Sequence, residues 1–488
     1  MSEVHFVDTT ARDGQVSLWA TGMRTGMILP VASQMDQAGF KAIEIIGAAI
    51  FKKCVRELQD DPWERIRLVS QRITKTPLRA IRSRYMAAFH ITSRSVSKLW
   101  LERLAANGVK EVRISDPSNT ISYLHGQVRD TRGAGLYPII NLIFSISPKH
   151  TDDYYAQKIR EVAGMDVACI CLKDPGGLLT PERTRTLVPV FLQNANGKPV
   201  ELHTHCNTGL GPLCCLDAIQ LGIKTVNTAI PPLANGSSNP SVFNVAMNAR
   251  ALGYAPSVDV EAVKPVVEHL TFIAKREGLP IGGPIEYDQF HYLHQVPGGM
   301  ISNFRFQLSR LGMGERVGEV LEETARVRAE FGYPIMVTPY SQFVGTQAAM
   351  NIILGERYRE VTDEVIQYAL GLWGEEESSS IDPDVRDKIL SRSRARELAH
   401  WEPPQNSLKE MRQKLGGPGV SDDELLLRYF AGEEDVAAMR AAGPSKEYVS
   451  VRRPLVALIG ELTRRKDCRR IYIQKEGLSL HLERRGGP

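Results

Sequence analysis

The residues of this chain best placed to do chemistry are the two histidines of Glu201-Leu-His203-Thr-His205. Alternate residues of a β-strand point the same way, so His203 and His205 would present two imidazoles to one metal ion. Zinc or manganese takes three or four ligands drawn from imidazole and carboxylate, and the remainder must come from other strands ending at the same face. Asp13 follows the strand-like Val4-His-Phe-Val7 in a polar, turn-forming stretch from Asp8 to Gly14. Lys173 and Asp174 end the buried-strand pattern Val167-Ala-Cys-Ile-Cys-Leu172 and lead into Pro175-Gly-Gly. An ammonium at Lys173 would be repelled by a divalent cation at low dielectric, so beside a metal that lysine is neutral, remote or carbamylated. Cys206 falls out of phase with both histidines and reads as a packing or loop residue.

Short β-branched runs alternate with helix-length amphipathic segments over the first two-thirds of the chain. The strand segments are 4–7, 42–46, 78–81, 111–114, 137–144, 167–172, 199–203 and 225–230. Eight such units in roughly 250 residues predict a TIM (β/α)8 barrel, which carries its chemistry at the C-terminal strand ends. Asp13, Lys173, His203 and His205 all fall at such ends, on units one, six and seven.

With 488 residues, 43% apolar and 24% charged, the chain can bury a large core and at least one further domain. A net charge of +4 without basic blocks gives no sign of nucleic-acid binding. No apolar run of about 18 residues and no leader pattern occurs, so the expected location is the cytoplasm, with no membrane segment. The seven cysteines lack the spacing of a disulfide framework, which fits a reducing compartment.

Six segments carry a family resemblance: residues 8–17, 20–24, Arg113-Ile-Ser-Asp116-Pro-Ser-Asn119, Leu172-Lys-Asp-Pro-Gly-Gly-Leu-Leu-Thr-Pro181, His203-Thr-His205 and Gln295-Val-Pro-Gly-Gly299. In order, from about residue 4 to about residue 445, the chain resembles biotin-dependent carboxyltransferases. These comprise the carboxyltransferase domain of pyruvate carboxylase, the α subunit of oxaloacetate decarboxylase and the pyruvate-binding subunit of transcarboxylase. The resemblance implies a divalent metal (Zn, Mn or Co) held by Asp13, His203, His205 and a carbamylated Lys173. It implies Arg12 beside the metal aspartate, Arg82 as the substrate-carboxylate arginine, and Ser302 as the hydroxyl that shuttles a proton between substrate and biotin.

By the same alignment Val16 stands where pyruvate-handling relatives have glutamine, and Phe89 where they have a substrate-facing tyrosine. Lys52 replaces an aspartate, Ile46 a tryptophan and Asn227 an aspartate. A buried site built to hydrogen-bond a substrate rejects molecules lacking the matching group, so lost donors change what is accepted. The expected substrate is a small organic molecule other than pyruvate, bound near Arg82, Val16, Phe89 and Lys52.

The expected organisation is a barrel at 1–285, a helical funnel domain at 286–445 and a carrier-docking-like tail at 450–488. Phe304, Phe306 and Phe331 read as packing residues of the second part. The segment from Gly374 through Pro383 reads as a charged flexible link, 403–419 as another, and Ser421-Asp-Asp-Glu as a helix start. The tail reads as a helix at 455–462 plus a hairpin of Arg470–Gln474 and Leu478–Leu482. No Met-Lys-Met biotinylation sequence occurs, so biotin would be supplied in trans by a carrier protein, with a biotin carboxylase subunit as a further partner. By analogy the chain is a homo-oligomer. The expected activity is metal-dependent carboxyl transfer between carboxybiotin and the substrate. The alternatives are biotin-dependent cleavage of a cyclic amide C–N bond, or a metal-dependent aldol or Claisen lyase on the same barrel.

Overall fold

The computed structural model describes residues 1–84, 86, 92–296, 301, 308–310, 312–402, 405–445, 448, 459, 462, 470–475 and 477–483. Eight strands form the predicted barrel: β1 (Glu3–Asp8), β2 (Ala42–Gly47), β3 (Leu78–Ser83), β4 (Glu111–Ser115), β5 (Tyr137–Ile143), β6 (Cys169–Asp174), β7 (Val200–Thr204) and β8 (Thr225–Thr228). Neighbours run parallel in chain order, and β1 pairs with both β2 and β8, which closes the sheet. Every residue of β2, β6, β7 and β8 is buried, because helices cover the outer face and side chains fill the lumen.

The strands shift by one or two residues at their ends from the sequence reading, and three differences have a visible hydrogen-bonding cause. β6 starts at Cys169, since Val167 N–H turns back to the Met165 carbonyl at 2.9 Å. β8 stops at Thr228, and Ile230 N–H bonds the Thr10 hydroxyl at 2.7 Å instead of a strand. The stretch expected as an open turn after β1 is a single π-helical turn, Thr10–Gly14, in which Asp13 and Gly14 N–H both reach the Thr9 carbonyl. Such wide turns often occur at functional sites. This one brings Asp13 back over the lumen.

A second core, separate from that of the barrel, is built by the helices Val317–Glu330, Tyr340–Leu354, Asp363–Ala369, Pro383–Leu390 and Ser393–Leu398. Phe331, Tyr340, Phe343, Tyr368 and Trp373 interlock at its centre with ring centroids 5.1–6.4 Å apart. This unit is tied to loops that leave the C-terminal ends of the barrel strands. Arg84 donates to the Trp373 carbonyl at 3.0 Å and Arg328 to the Ser145 hydroxyl at 3.0 Å, while His291 Nε2 meets the Gly176 carbonyl at 2.8 Å. The helices Asp422–Ala431 and Glu433–Ala442 join the barrel core instead, where Phe430 meets Phe51 at 5.4 Å and Trp63 donates to the Asp423 carbonyl.

Neither expected link is a plain loop. Glu375–Ser378 form a short helix in which Glu377 is buried and paired with Lys149 at 3.1 Å. Within the second link, Leu408–Lys414 is a helix whose Ser407 and Glu410 form a capping box. Ser421 caps the next helix as predicted, accepting from Glu424 N–H. In the tail, the strands Arg470–Lys475 and Leu478–Glu483 pair antiparallel as the expected hairpin. Most of 455–462, and both Phe304 and Phe306, lie outside the described residues. Among the described residues, no helix is long and apolar enough to cross a membrane.

Candidate metal and carboxyl-transfer site

The parallel registers fix what enters the lumen. Arg79 lies beside Glu111, Ile81 beside Arg113, Cys171 beside Glu201 and Lys173 beside His203. Since partners on adjacent strands share a face, the lumen collects one charged residue from the middle of each of several apolar strands. Arg113 donates to Glu44 at 2.7 Å, and Arg79 to Glu201 at 2.9 Å and Glu111 at 2.8 Å. Burial alone would raise the Glu44 and Glu201 carboxyls, but these guanidiniums outweigh it and hold both below the usual range. The network was not read from the sequence. Its signal was present, as Ala-Ile-Glu44-Ile-Ile, Leu-Arg79-Ala, Val-Arg113-Ile and Val-Glu201-Leu each set one charge among apolar neighbours.

Above this layer Asp13, His203 and His205 converge, all buried. Asp13 Oδ2 lies 3.0 Å from His203 Nε2 and 3.4 Å from His205 Nε2, and the two Nε2 atoms are 3.2 Å apart. Ligands about 2.0 Å from a tetrahedral zinc stand about 3.3 Å from one another, so the triangle has the edges of such a site. The chemistry of the donors fits as well. His205 Nδ1 is 2.7 Å from the Ser237 carbonyl, which can only accept, so the ring proton is on Nδ1 and the Nε2 lone pair faces inward. Burial opposes a charged Asp13, yet the Arg12 guanidinium beside it opposes burial most strongly, and the carboxyl is held well below the usual range. Burial, reinforced by Arg113, keeps His203 neutral. The donor set therefore suits a divalent cation.

Arg12 is clamped between Asp13 and Glu44 at 2.7 Å each, which positions the π-helical turn against β2. Lys173 is buried on the strand next to His203 and makes no ion pair or hydrogen bond among the described residues. Burial, with Arg12 nearby, pushes its ammonium down to about 8. The loop that follows packs tightly on its neighbour. Gly177 has φ of +63°, and a Cβ there would meet Asn207 N and the His205 carbonyl at 2.9 Å, so a larger residue would displace the backbone that carries His205.

The remaining expected residues divide. Arg82 is not brought to the cluster: strand alternation sends Arg79 and Ile81 inward and Arg82 outward, onto the Ser97 hydroxyl of the helix Arg94–Ala106, with Nε and Nη1 buried and unpartnered among the described residues. Val16 is on the helical turn after Asp13 and 36% exposed. Lys52 sits in the last turn of the helix Ala48–Lys53 and is half-buried. Cys206 is buried but lies outside the ligand cluster. Phe89 and Ser302 lie outside the described residues.

Residues 3–269 match the HMGL-like family, and residues 292–439 match the conserved carboxylase domain. The chain is 35% identical to a subunit of pyruvate carboxylase from Methanocaldococcus jannaschii, over 79% of this chain and 68% of that one. It is 29% identical to the 2-oxoglutarate carboxylase large subunit of Hydrogenobacter thermophilus, over 88% and 67%. Its fold superimposes on the carboxyl transferase domain of Rhizobium etli pyruvate carboxylase with a TM-score of 0.81, at 23% identity over 91% and 78% of the two chains. Barrel and helical segment are thus both matched, in the same order, by carboxylase subunits. The chain is an enzyme of the biotin-dependent carboxyltransferase family.

Proposed function

We propose that this protein is the metal-dependent carboxyltransferase component of a biotin enzyme made of several subunits, acting on a small organic substrate other than pyruvate. The observation that carries the reading is the Asp13–His203–His205 triangle with tetrahedral edges, set beside a buried lysine that has no partner among the described residues. Lys173 completes the ligand set as a carbamate, made when its neutral amine attacks CO2 and loses a proton. The anionic oxygen then replaces the ammonium with a charge that complements the metal. A bound divalent ion would supply a Lewis acid for an enolate-like oxygen of the substrate.

The chain's own residues do the rest. Arg12 holds Asp13 in place through its second contact to Glu44. The lumen network below keeps the floor of the site rigid and charge-balanced. Ser302, from the segment after Gln295-Val-Pro-Gly-Gly299, relays a proton between substrate and the ureido nitrogen of biotin. Biotin arrives on a separate carrier protein, which a biotin carboxylase subunit recharges.

The choice against pyruvate rests on Val16, Phe89 and Ile46, apolar where hydrogen-bonding or larger groups are expected, and Ile46 is fully buried beside the network. Relatives are named for pyruvate at 35% identity and for 2-oxoglutarate at 29%, so the choice rests on the pocket residues and not on the names. The test is gentle affinity isolation from the native host followed by a streptavidin blot. A biotinylated partner supports the reading. Its absence, together with metal-dependent substrate cleavage insensitive to avidin, would put the lyase in its place.

A further inference from the structure

His203 reaches the cluster through Nε2, which the Asn239 amide Nδ2 also approaches at 3.3 Å, and the protonation of its other ring nitrogen decides whether it can be a ligand. A neutral imidazole carries one N–H, and Nε2 keeps its lone pair only if that proton is on Nδ1. Two neighbours of Nδ1 make opposite demands. Arg113 Nη1, a donor only, is 3.0 Å away, and Asn227 Oδ1, an acceptor, is 3.1 Å away. Acting alone, Arg113 would draw the Nδ1 lone pair toward itself and leave the proton on Nε2, closing the site.

Counting hydrogens resolves the conflict. Arg113 Nη1 has two, and it has two nearer acceptors, Glu44 Oε1 at 2.7 Å and Asn227 Oδ1 at 2.9 Å. Asn227 Oδ1 has two lone pairs, one for Arg113 and one for an Nδ1–H of His203. The amide's other end, Nδ2, is buried with no partner among the described residues, so Asn227 is oriented through its oxygen. Rotated the other way, it would set an N–H donor against the guanidinium.

We propose that Asn227 is the positioning residue that fixes His203 as its Nδ1–H tautomer and thereby leaves Nε2 an electron-pair donor toward Asp13 and His205. The consequence for metal binding rests on the functional reading above, whereas the tautomer does not. An amide at this position meets both donors without a further negative charge beside Glu44.

The test uses the full chain, metal-free and labelled with 15N-histidine, in long-range 1H–15N correlation spectra, with the His203 signals assigned by their loss in His203→Gln. The wild type should show His203 protonated at Nδ1. Asn227→Leu, similar in size but without an acceptor, should move the proton to Nε2 and weaken binding of Co(II), titrated by its d–d absorption, by about tenfold or more. Asn227→Asp should restore both the Nδ1–H signal and the affinity. A wild type protonated at Nε2, or an Asn227→Leu protein that keeps Nδ1–H, would overturn the proposal. Should the leucine variant fail to fold, the wild-type spectrum and Asn227→Ala, which also lacks an acceptor, decide it by the same criterion. If Co(II) does not bind the wild type, the metal reading fails, and the spectra alone still decide the role of Asn227.

Discussion

The barrel lumen and the core of the helical unit are both fully buried, yet they are built from opposite materials. In the lumen Arg12, Glu44, Arg79, Arg113 and Glu201 are held in one hydrogen-bonded ionic network with the histidine and aspartate cluster on top. The helical unit fills the same kind of space with Phe331, Tyr340, Phe343, Tyr368 and Trp373. Burying ions costs several kcal/mol each before pairing, and replacing such a network by apolar residues is often neutral or stabilising. Stability alone therefore does not account for the lumen. Its charges are placed to hold chemical groups in fixed geometry, while the aromatic core is a platform that supports the mouth.

The contrast is challenged most severely at the cluster. His203→Ala should abolish stoichiometric metal binding, read by elemental analysis, and reduce turnover to background with little change in melting temperature. Normal metal content would remove His203 from the ligand set. Arg113→Met should behave differently, because it strands Glu44 without one of its compensating cations. A loss of about 3–5 kcal/mol in denaturant unfolding is expected, since one member of a buried pair is left uncompensated. A loss under about 1 kcal/mol would mean the network is not coupled as drawn.

In the aromatic core, Phe343→Leu should cost only about 1–2 kcal/mol, as a shape change in an apolar site. Metal content should stay at the wild-type level. A change in metal content there would show that the two regions are not separable.

The smallest effect concerns pH. Burial raises the Asp8 carboxyl to about 7, with only the Thr10 hydroxyl and N–H lowering it appreciably. The folded state thus holds a proton that the unfolded chain has released. Its stabilising contribution is complete below about pH 4 and is lost as pH rises toward and through 7. Asp8→Asn should flatten the fall in stability over that window, and an unchanged slope would assign the titration elsewhere.

Much of the site was legible because strands have a period of two. His203 and His205 are two apart and Lys173 lies near the end of the neighbouring strand, so their convergence follows from topology, whereas Asp13 is carried over the lumen by the π-helical turn after β1. The same rule could have corrected Arg82. Arg79 and Arg82 are three apart on β3 and cannot share a face, so one of them had to point away from the lumen. Ser407-Leu-Lys-Glu410 carried its capping-box pattern openly, and the helix it starts was hidden only by the prolines and glycines around it. Glu377 was less accessible. Its partner Lys149 is 228 positions away, and nothing local distinguishes a solvated acidic link from one pinned by a distant lysine. Asn227 was visible as a departure from the family, but its meaning depended on Arg113 and His203 arriving from two other strands.

Whether the Asp13–His203–His205 cluster performs carboxyl transfer with biotin is decided by the loss of label from 14C-carboxybiotin mixed with the purified protein. The same loss is followed with chelator-stripped protein, metal-restored protein and His203→Ala. Label should be lost faster with the purified protein, an acceleration that disappears on stripping, returns with metal and is absent in the variant. Label lost equally fast in all four samples would contradict a role for the cluster.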